Sequence, residues 1–193
     1  MKNIFVVLGK SGSGKSTLSE HISRVFSMSN VVITTSRPAR EGEVDGIDYH
    51  FLTKEEFEYA IINDEFLQYS SFRNWYYGIE KISLDVCSSK NIIIVLSPEA
   101  YTDFSNSICK LSYKVIPIFV HCDDRIRLQR CLNRDSDIDE VVRRYQADKV
   151  DFDGIADKVL KDGGFIIDSS YGSVDTVLSN FENYVLKYIK GNF

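Results

Sequence analysis

No apolar run in the 193 residues approaches the roughly 20 consecutive positions that a membrane helix requires. The one apolar run near the N-terminus, Ile4 to Leu8, is too short for a signal peptide and leads directly into a glycine-rich loop. The four cysteines, Cys87, Cys109, Cys122 and Cys131, form neither a CxxC pair nor a mixed Cys/His zinc pattern. They read as buried thiols in a reducing compartment. A basic excess is also missing: the formal net charge is −5 and the pI is near 5.3. That argues against a nucleic-acid or anionic-membrane surface. Internal repeats, low-complexity tracts and linkers are absent as well. What remains is a cytoplasmic globular chain, 44% hydrophobic and 26% charged, long enough for one well-cored domain.

Five short apolar runs stand out: Ile4 to Leu8, Val31 to Ile33, Ile92 to Leu96, Val115 to Val120, and Phe165 to Ile167. None alternates strictly, which predicts strands covered on both faces of a parallel sheet. Between them lie helical patterns. Leu18, Ile22, Val25 and Phe26 mark the packing face of the first helix; Val174, Val177, Leu178, Phe181, Val185 and Ile189 mark that of the last. Strands alternating with amphipathic helices predict an α/β fold with right-handed crossovers.

Two stretches break this rhythm. Aromatics multiply between about 35 and 90, and Ile47 to Leu52 reads as an antiparallel strand, so this region is expected to be an inserted α+β lobe. His50 and Trp75 read as packing residues. Asp135 to Asp139 is polar and acidic between two arginine-bearing helices, as a mobile lid would be.

The strongest motif is Gly9-Lys10-Ser11-Gly12-Ser13-Gly14-Lys15-Ser16, which fits G-x-x-x-x-G-K-S/T at every fixed position. It follows a strand and opens a helix. Glycines let successive N–H groups turn inward, and the helix N-terminus adds partial positive charge. Gly9, Ser11, Gly12, Ser13, Gly14, Lys15, Ser16 and Thr17 are therefore candidate ligands of a nucleoside triphosphate. Lys15 would reach the β- and γ-phosphates, and the Ser16 hydroxyl would ligate Mg²⁺.

Downstream come Thr35-Ser36-Arg37-Pro38-Ala39-Arg40-Glu41-Gly42-Glu43, then Val44 to Phe51, then Asn63 to Leu67, then Trp75-Tyr76-Tyr77-Gly78. Two guanidinium groups three residues apart, with neighbouring phenols, form a receptor for a phosphate dianion. A second basic cluster, Arg127, Arg130 and Arg134, falls at i, i+3 and i+7, followed by Arg143 and Arg144. By itself such a stripe is usually a solvated helix face.

In order and spacing these segments resemble the guanylate kinases, with their T-T-R-x-x-R-x-G-E-x-x-G-x-D-Y-x-F text, NGEF-like segment and N-Y-Y-G. The resemblance covers roughly residues 4 to 145. It implies a P-loop sheet of five parallel strands flanked by helices, with a core of 1–34 and 91–193. A monophosphate-binding lobe at about 35–90 and a short lid at about 135–145 would complete it. It further implies ATP as donor, Mg²⁺, a nucleoside monophosphate as acceptor, and a monomer or homodimer. Arg37, Arg40, Tyr49 and Tyr77 would hold the acceptor phosphate. Arg130, Arg134 and Arg144 would neutralise the transferring phosphoryl group alongside Lys15.

The departures concern the base. The positions where the family meets the two adjacent donors of guanine with carboxylates are Gln68 and Ser97 here, and two hydroxyl positions are Ile33 and Ile79. An amide offers one donor and one acceptor, so Gln68 suits a donor/acceptor edge such as that of adenine, cytosine or uracil better than two donors, and the acceptor base stays open. Two other readings stand beside the first. One is a kinase of a related acceptor such as ribose 1,5-bisphosphate; the other is a non-catalytic guanylate kinase-like binding module. Lys15 and Ser16 argue against the module, and the full arginine segment argues against the sugar phosphate.

Overall fold

Strand β1 (Lys2–Gly9) is buried along almost its whole length because it runs up the middle of a five-stranded sheet. It pairs in parallel with β7 (Asn91–Val95) on one side and β8 (Tyr113–His121) on the other. β2 (Ser29–Val31) adds to β7, and β9 (Phe165–Asp168) adds to β8, both parallel. The order β2-β7-β1-β8-β9 contains all five expected strands. In a computed structural model, residues 2–40, 42–72, 74–108 and 113–190 are described. Cys109 and Glu41 lie outside them. Cys87, Cys122 and Cys131 are buried free thiols, as expected.

Helices cover both faces. α1 (Lys15–Val25) and α8 (Val174–Lys190) bury Leu18, Ile22, Val177, Phe181 and Val185 against Phe5, Val7, Ile118 and Ile167. Val25 and Val174, expected on those packing faces, are exposed. α4 (Pro98–Ile108) and α7 (Ile155–Lys161) cover the opposite face through Tyr101, Phe104, Ile108, Ile155 and Val159. His21 Nε2 and Glu182 Oε1, 2.6 Å apart, join α1 to α8.

A second, four-stranded sheet has the order β4-β3-β6-β5. Its members are β3 (Thr34–Thr35), β4 (His50–Phe51), β5 (Phe66–Phe72) and β6 (Trp75–Glu80), with α3 (Lys81–Asp85) following. Helix α2 (Lys54–Ile62) starts in a capping box: Thr53 Oγ1 accepts from Glu56 N, and Glu56 Oε2 accepts from Thr53 N. It packs Phe57 and Ala60 on Phe66 and Tyr76, the outer face of this sheet.

Three local expectations are corrected. The segment 47–52 is not an antiparallel strand: His50 and Phe51 pair in parallel with β3, Tyr49 makes an isolated bridge to Asp45, and Ile47 is solvent-exposed. Trp75 is exposed rather than packed, at the turn end of the β5–β6 hairpin, where it pairs with Phe72. The link after α5 (Asp124–Arg134) is only three residues, because Asp137 caps α6 (Ile138–Asp151) by accepting from Glu140 N. Most of the stretch expected to be a lid is thus regular helix.

Phe181 is fully buried and meets Phe165 edge-on at 6.1 Å between ring centroids. Truncating it with Phe181→Ala is expected to cost about 3–5 kcal/mol of unfolding free energy, read from urea denaturation.

Candidate functional site

The loop after β1 is shaped by close approach. Gly12, at φ +77, lies where a Cβ would come 2.3 Å from the Arg127 carbonyl oxygen and 2.8 Å from Cys131 Sγ. Gly14, at φ +86, caps α1 in the left-handed region that side chains disfavour. α1 has no side-chain cap and no acidic residue in its first turn. Its first N–H groups therefore face outward as a positive end suited to an anion. Ser13 Oγ is buried without a partner. Ser16 and Thr17 are exposed at the helix start. Burial pushes the Lys15 ammonium below its ordinary range; Asp148 pulls it back up, and Arg134 and Arg144 press it further down. A phosphate anion would relieve all three cations at once.

What holds the loop in place was not legible from the motif. Ser11 N donates to Asp148 Oδ2 at 2.8 Å, and Arg127 Nη1 donates to the same oxygen at 3.0 Å. Arg127 is only 1% exposed; its Nε donates to Asp124 Oδ1 at 2.7 Å, and its guanidinium lies 4.3 Å from the Tyr145 ring centroid. It is therefore no member of a solvated stripe: its Nε and Nη1 are paired in the interior, and its Nη2 is buried without a partner. From the other side, Ser169 Oγ donates to the Ser13 carbonyl at 2.7 Å, bringing the segment after β9 against the loop.

Arg130, Arg134 and Arg144 do converge on this end of the sheet, each differently. Arg130 donates to Ser169 O at 3.0 Å and to Gly12 O at 3.4 Å, lying alongside the loop. The Arg134 side chain is 64% exposed, its Nη2 3.5 Å from Asp135. Arg144 is largely buried, paired with Asp135 and 3.4 Å from Glu140. Burial opposes ionisation of Asp135, yet Arg144 and Arg134 outweigh it and hold the carboxyl below the usual range. Glu140 Oε1 also pairs with Arg143 and lies 3.9 Å from Arg40 Nη2, so one carboxylate spans α6 and the segment after β3.

On the acceptor side, Arg37 is buried and bidentate, its Nη2 donating to both Glu43 oxygens at 2.9 Å. It lies 5.2 Å from the Tyr49 ring centroid, and Tyr49 and Tyr77 are edge-on at 6.3 Å. Glu43 raises the Arg37 pKa against the effect of burial. Burial, with Arg37 and Arg144 nearby, lowers that of Arg40. Arg37, Arg40, Tyr49 and Tyr77 are thus brought into one cluster, with Glu43 as its internal counter-ion. Gln68 is 8% exposed on β5, and its Nε2 is buried without a partner. Ser97 is exposed; its Oγ accepts from Ala100 N at the start of α4. Missed in the sequence were Asp148, Glu140 and Ser169, which carry no motif; Glu43 lay inside the quoted arginine text, where its nearness to Arg40 was a readable signal.

A strand–glycine loop–helix unit at the centre of a parallel five-stranded sheet, with arginines gathered at the same end, defines an α/β protein of the mononucleotide-binding type of fold. The family model for guanylate kinase matches residues 1–180. A guanylate kinase of Helicobacter pylori is 30% identical over 145 residues, spanning 74% of this chain and 69% of that protein. One from Fusobacterium nucleatum is 30% identical over 143 residues, spanning 72% and 75%. The crystal structure of guanylate kinase from Anaplasma phagocytophilum superposes with a TM-score of 0.63 at 18% identity, covering 97% of this chain and 86% of that one. The chain belongs to the guanylate kinase family, and it is a nucleoside monophosphate kinase.

Because Asp148 satisfies both Arg127 and the loop amide, Asp148→Ala leaves a buried cation short of its partner. A loss of about 3–5 kcal/mol in unfolding free energy is expected, measured by urea titration at neutral pH.

Proposed function

We propose that this chain transfers the γ-phosphoryl group of ATP to GMP or its deoxy analogue, using the loop at 9–17 for the donor and the arginine–tyrosine cluster for the acceptor. The observation that carries the reading is the pairing of two anion sites. One is the uncapped α1 terminus with Lys15; the other comprises Arg37, Arg40, Tyr49 and Tyr77, with Glu140 reaching across from α6. A donor phosphate on one and an acceptor phosphate on the other would meet between Lys15 and the arginines of α5 and α6.

In this scheme the lobe at about 35–90 carries the acceptor, and the segment at about 135–145 carries the arginines that close on the reacting group. Lys15 holds the β- and γ-phosphates, and Arg130, Arg134 and Arg144 offset charge on the equatorial oxygens during in-line transfer. Among the described residues no cluster of three or more His, Cys, Asp or Glu could cage a metal. That suits Mg²⁺, which keeps several waters and is bound largely by substrate phosphates. The Ser16 hydroxyl would hold Mg²⁺, which when bound would supply charge neutralisation to the donor phosphates. No described helix is long and apolar enough to cross a membrane. We place the protein in the cytoplasm, acting on small nucleotides as a monomer or homodimer. The sugar-phosphate and binding-module alternatives gain no support from relatives that are named guanylate kinases.

A coupled ADP-release assay across the ribo- and deoxyribonucleoside monophosphates and ribose 1,5-bisphosphate tests the assignment; turnover confined to the sugar phosphate would overturn it. Lys15→Ala is expected to lower kcat by several orders of magnitude in a folded protein, because that cation stabilises developing charge. Arg40→Ala should raise the Kd for GMP about 10- to 100-fold, the loss of one charge-assisted pair, while ATP affinity read by calorimetry changes little.

A further inference from the structure

The four-stranded sheet has two unlike faces. Residues paired across antiparallel strands share a face, as do residues two apart on one strand. Tyr77 pairs with Ser70 and Ile79 pairs with Gln68, so Tyr77, Ile79, Ser70 and Gln68 all lie on one face. A register irregularity between Phe66 and Gln68 turns Phe66 to the other face, which it shares with Tyr76 beneath α2. Thus the face that presents Tyr77 to the arginine cluster continues, two residues or about 7 Å further along β6, to Ile79 and Gln68. A mononucleotide with its phosphate at Tyr49 and Tyr77 would lay its base along this direction.

The chemistry at that end is sparse. Ile79 is buried in the main core, with Ile33 packed against the same cluster, and both present only carbon. Gln68 is the buried polar side chain there. Its amide makes no hydrogen bond with any described residue, and its Nε2 is sealed from water. A buried, unpaired amide costs about 1–3 kcal/mol, a cost that a ligand offering adjacent donor and acceptor atoms would remove. Guanine carries such a pair at O6 and N1–H, which an amide matches with one donated and one accepted hydrogen bond. The neighbouring 2-amino group would need a second acceptor, and Ile33 and Ile79 have none.

We infer that Gln68 reads the 6-oxo and N1–H edge of a purine and leaves the 2-amino group unread, so that the acceptors are 6-oxopurine monophosphates, inosine monophosphate as well as GMP. This rests on the acceptor assignment proposed above. It makes Gln68 a residue that sets specificity by what it does not contact. The one nearby carboxylate on α4 is Asp103, exposed on the wall of a cavity of about 480 Å³ that Gln68 also lines. If Asp103 read the 2-amino group, the inference would fail.

The test is kcat/KM for GMP and for inosine monophosphate with ATP, on the full chain and on Gln68→Glu, Gln68→Met and Asp103→Asn. For the unaltered protein the two values are expected within about threefold of each other. Gln68→Glu, which restores acceptors for both N1–H and the 2-amino group, should raise the GMP-to-inosine ratio tenfold or more. Gln68→Met keeps the shape without the amide and should lower both values by a similar factor of about ten. Asp103→Asn should leave the ratio unchanged. A tenfold or larger preference for GMP in the unaltered protein overturns the inference while leaving the kinase assignment intact, as does a Gln68→Met variant with unaltered kinetics, or a GMP preference abolished by Asp103→Asn. A chain that phosphorylates neither nucleotide overturns the acceptor assignment and the inference together.

Discussion

The geometry of the whole site hangs on one carboxylate oxygen. Asp148 Oδ2 accepts from the Ser11 amide of the loop and from the buried Arg127 guanidinium. Ser11 belongs to the segment between β1 and α1, Arg127 to α5 and Asp148 to α6. Three separate stretches of chain are therefore fixed relative to one another by two hydrogen bonds to a single atom. With Asp124 and Tyr145 completing its surroundings, Arg127 locks the two helices that bear Arg130, Arg134 and Arg144 onto the phosphate loop. A loop with two left-handed glycines has few contacts of its own to hold its shape. Its rigidity comes from this anchor and from Ser169 behind it.

The sheet was legible because burial on both faces leaves an unmistakable record: continuous apolar runs, each bounded by polar residues. Four of these runs became strands of the parallel sheet, while the fifth, Val31 to Ile33, only overlaps at Val31 with a strand that lies earlier, at Ser29–Val31. The small sheet was harder. Its strands β3 and β4 are two residues long, and no pattern of alternation can be read in two residues. Ile47 to Leu52 looked like a strand because it contains Ile, Tyr and Phe, but most of it faces outward around His50 and Phe51. At the site, residues at fixed spacing within a motif were readable: Lys15, Arg37 and Arg40. Long-range partners were not. Asp148 lies 137 positions from Ser11, and an acidic residue on an amphipathic helix carries no mark of what it will face. Arg127 and Arg134 look equivalent in a helical stripe, yet one is interior and the other in solvent, a difference set wholly by what packs over α5.

Under the acceptor assignment proposed above, base recognition would follow a different logic from phosphate recognition. Phosphates would meet cations already held by carboxylates, Arg37 by Glu43 and Arg144 by Asp135. The base would meet carbon and one amide. Affinity would then reside at the charged end of the acceptor, and selectivity at an end with little polar surface.

The bridge from Glu140 to Arg40, with Glu43 on the same arginine, has a consequence for how an anion enters. Under the acceptor assignment proposed above, a dianionic guest would not arrive at bare guanidinium groups but would compete with the carboxylates that already face them. Binding would thus be an exchange of one anion for another, and the charge enclosed by the cleft would change less than the guest's own charge. Such an exchange draws fewer counter-ions into or out of solution than neutralisation of naked arginines would, so acceptor affinity should depend only weakly on ionic strength.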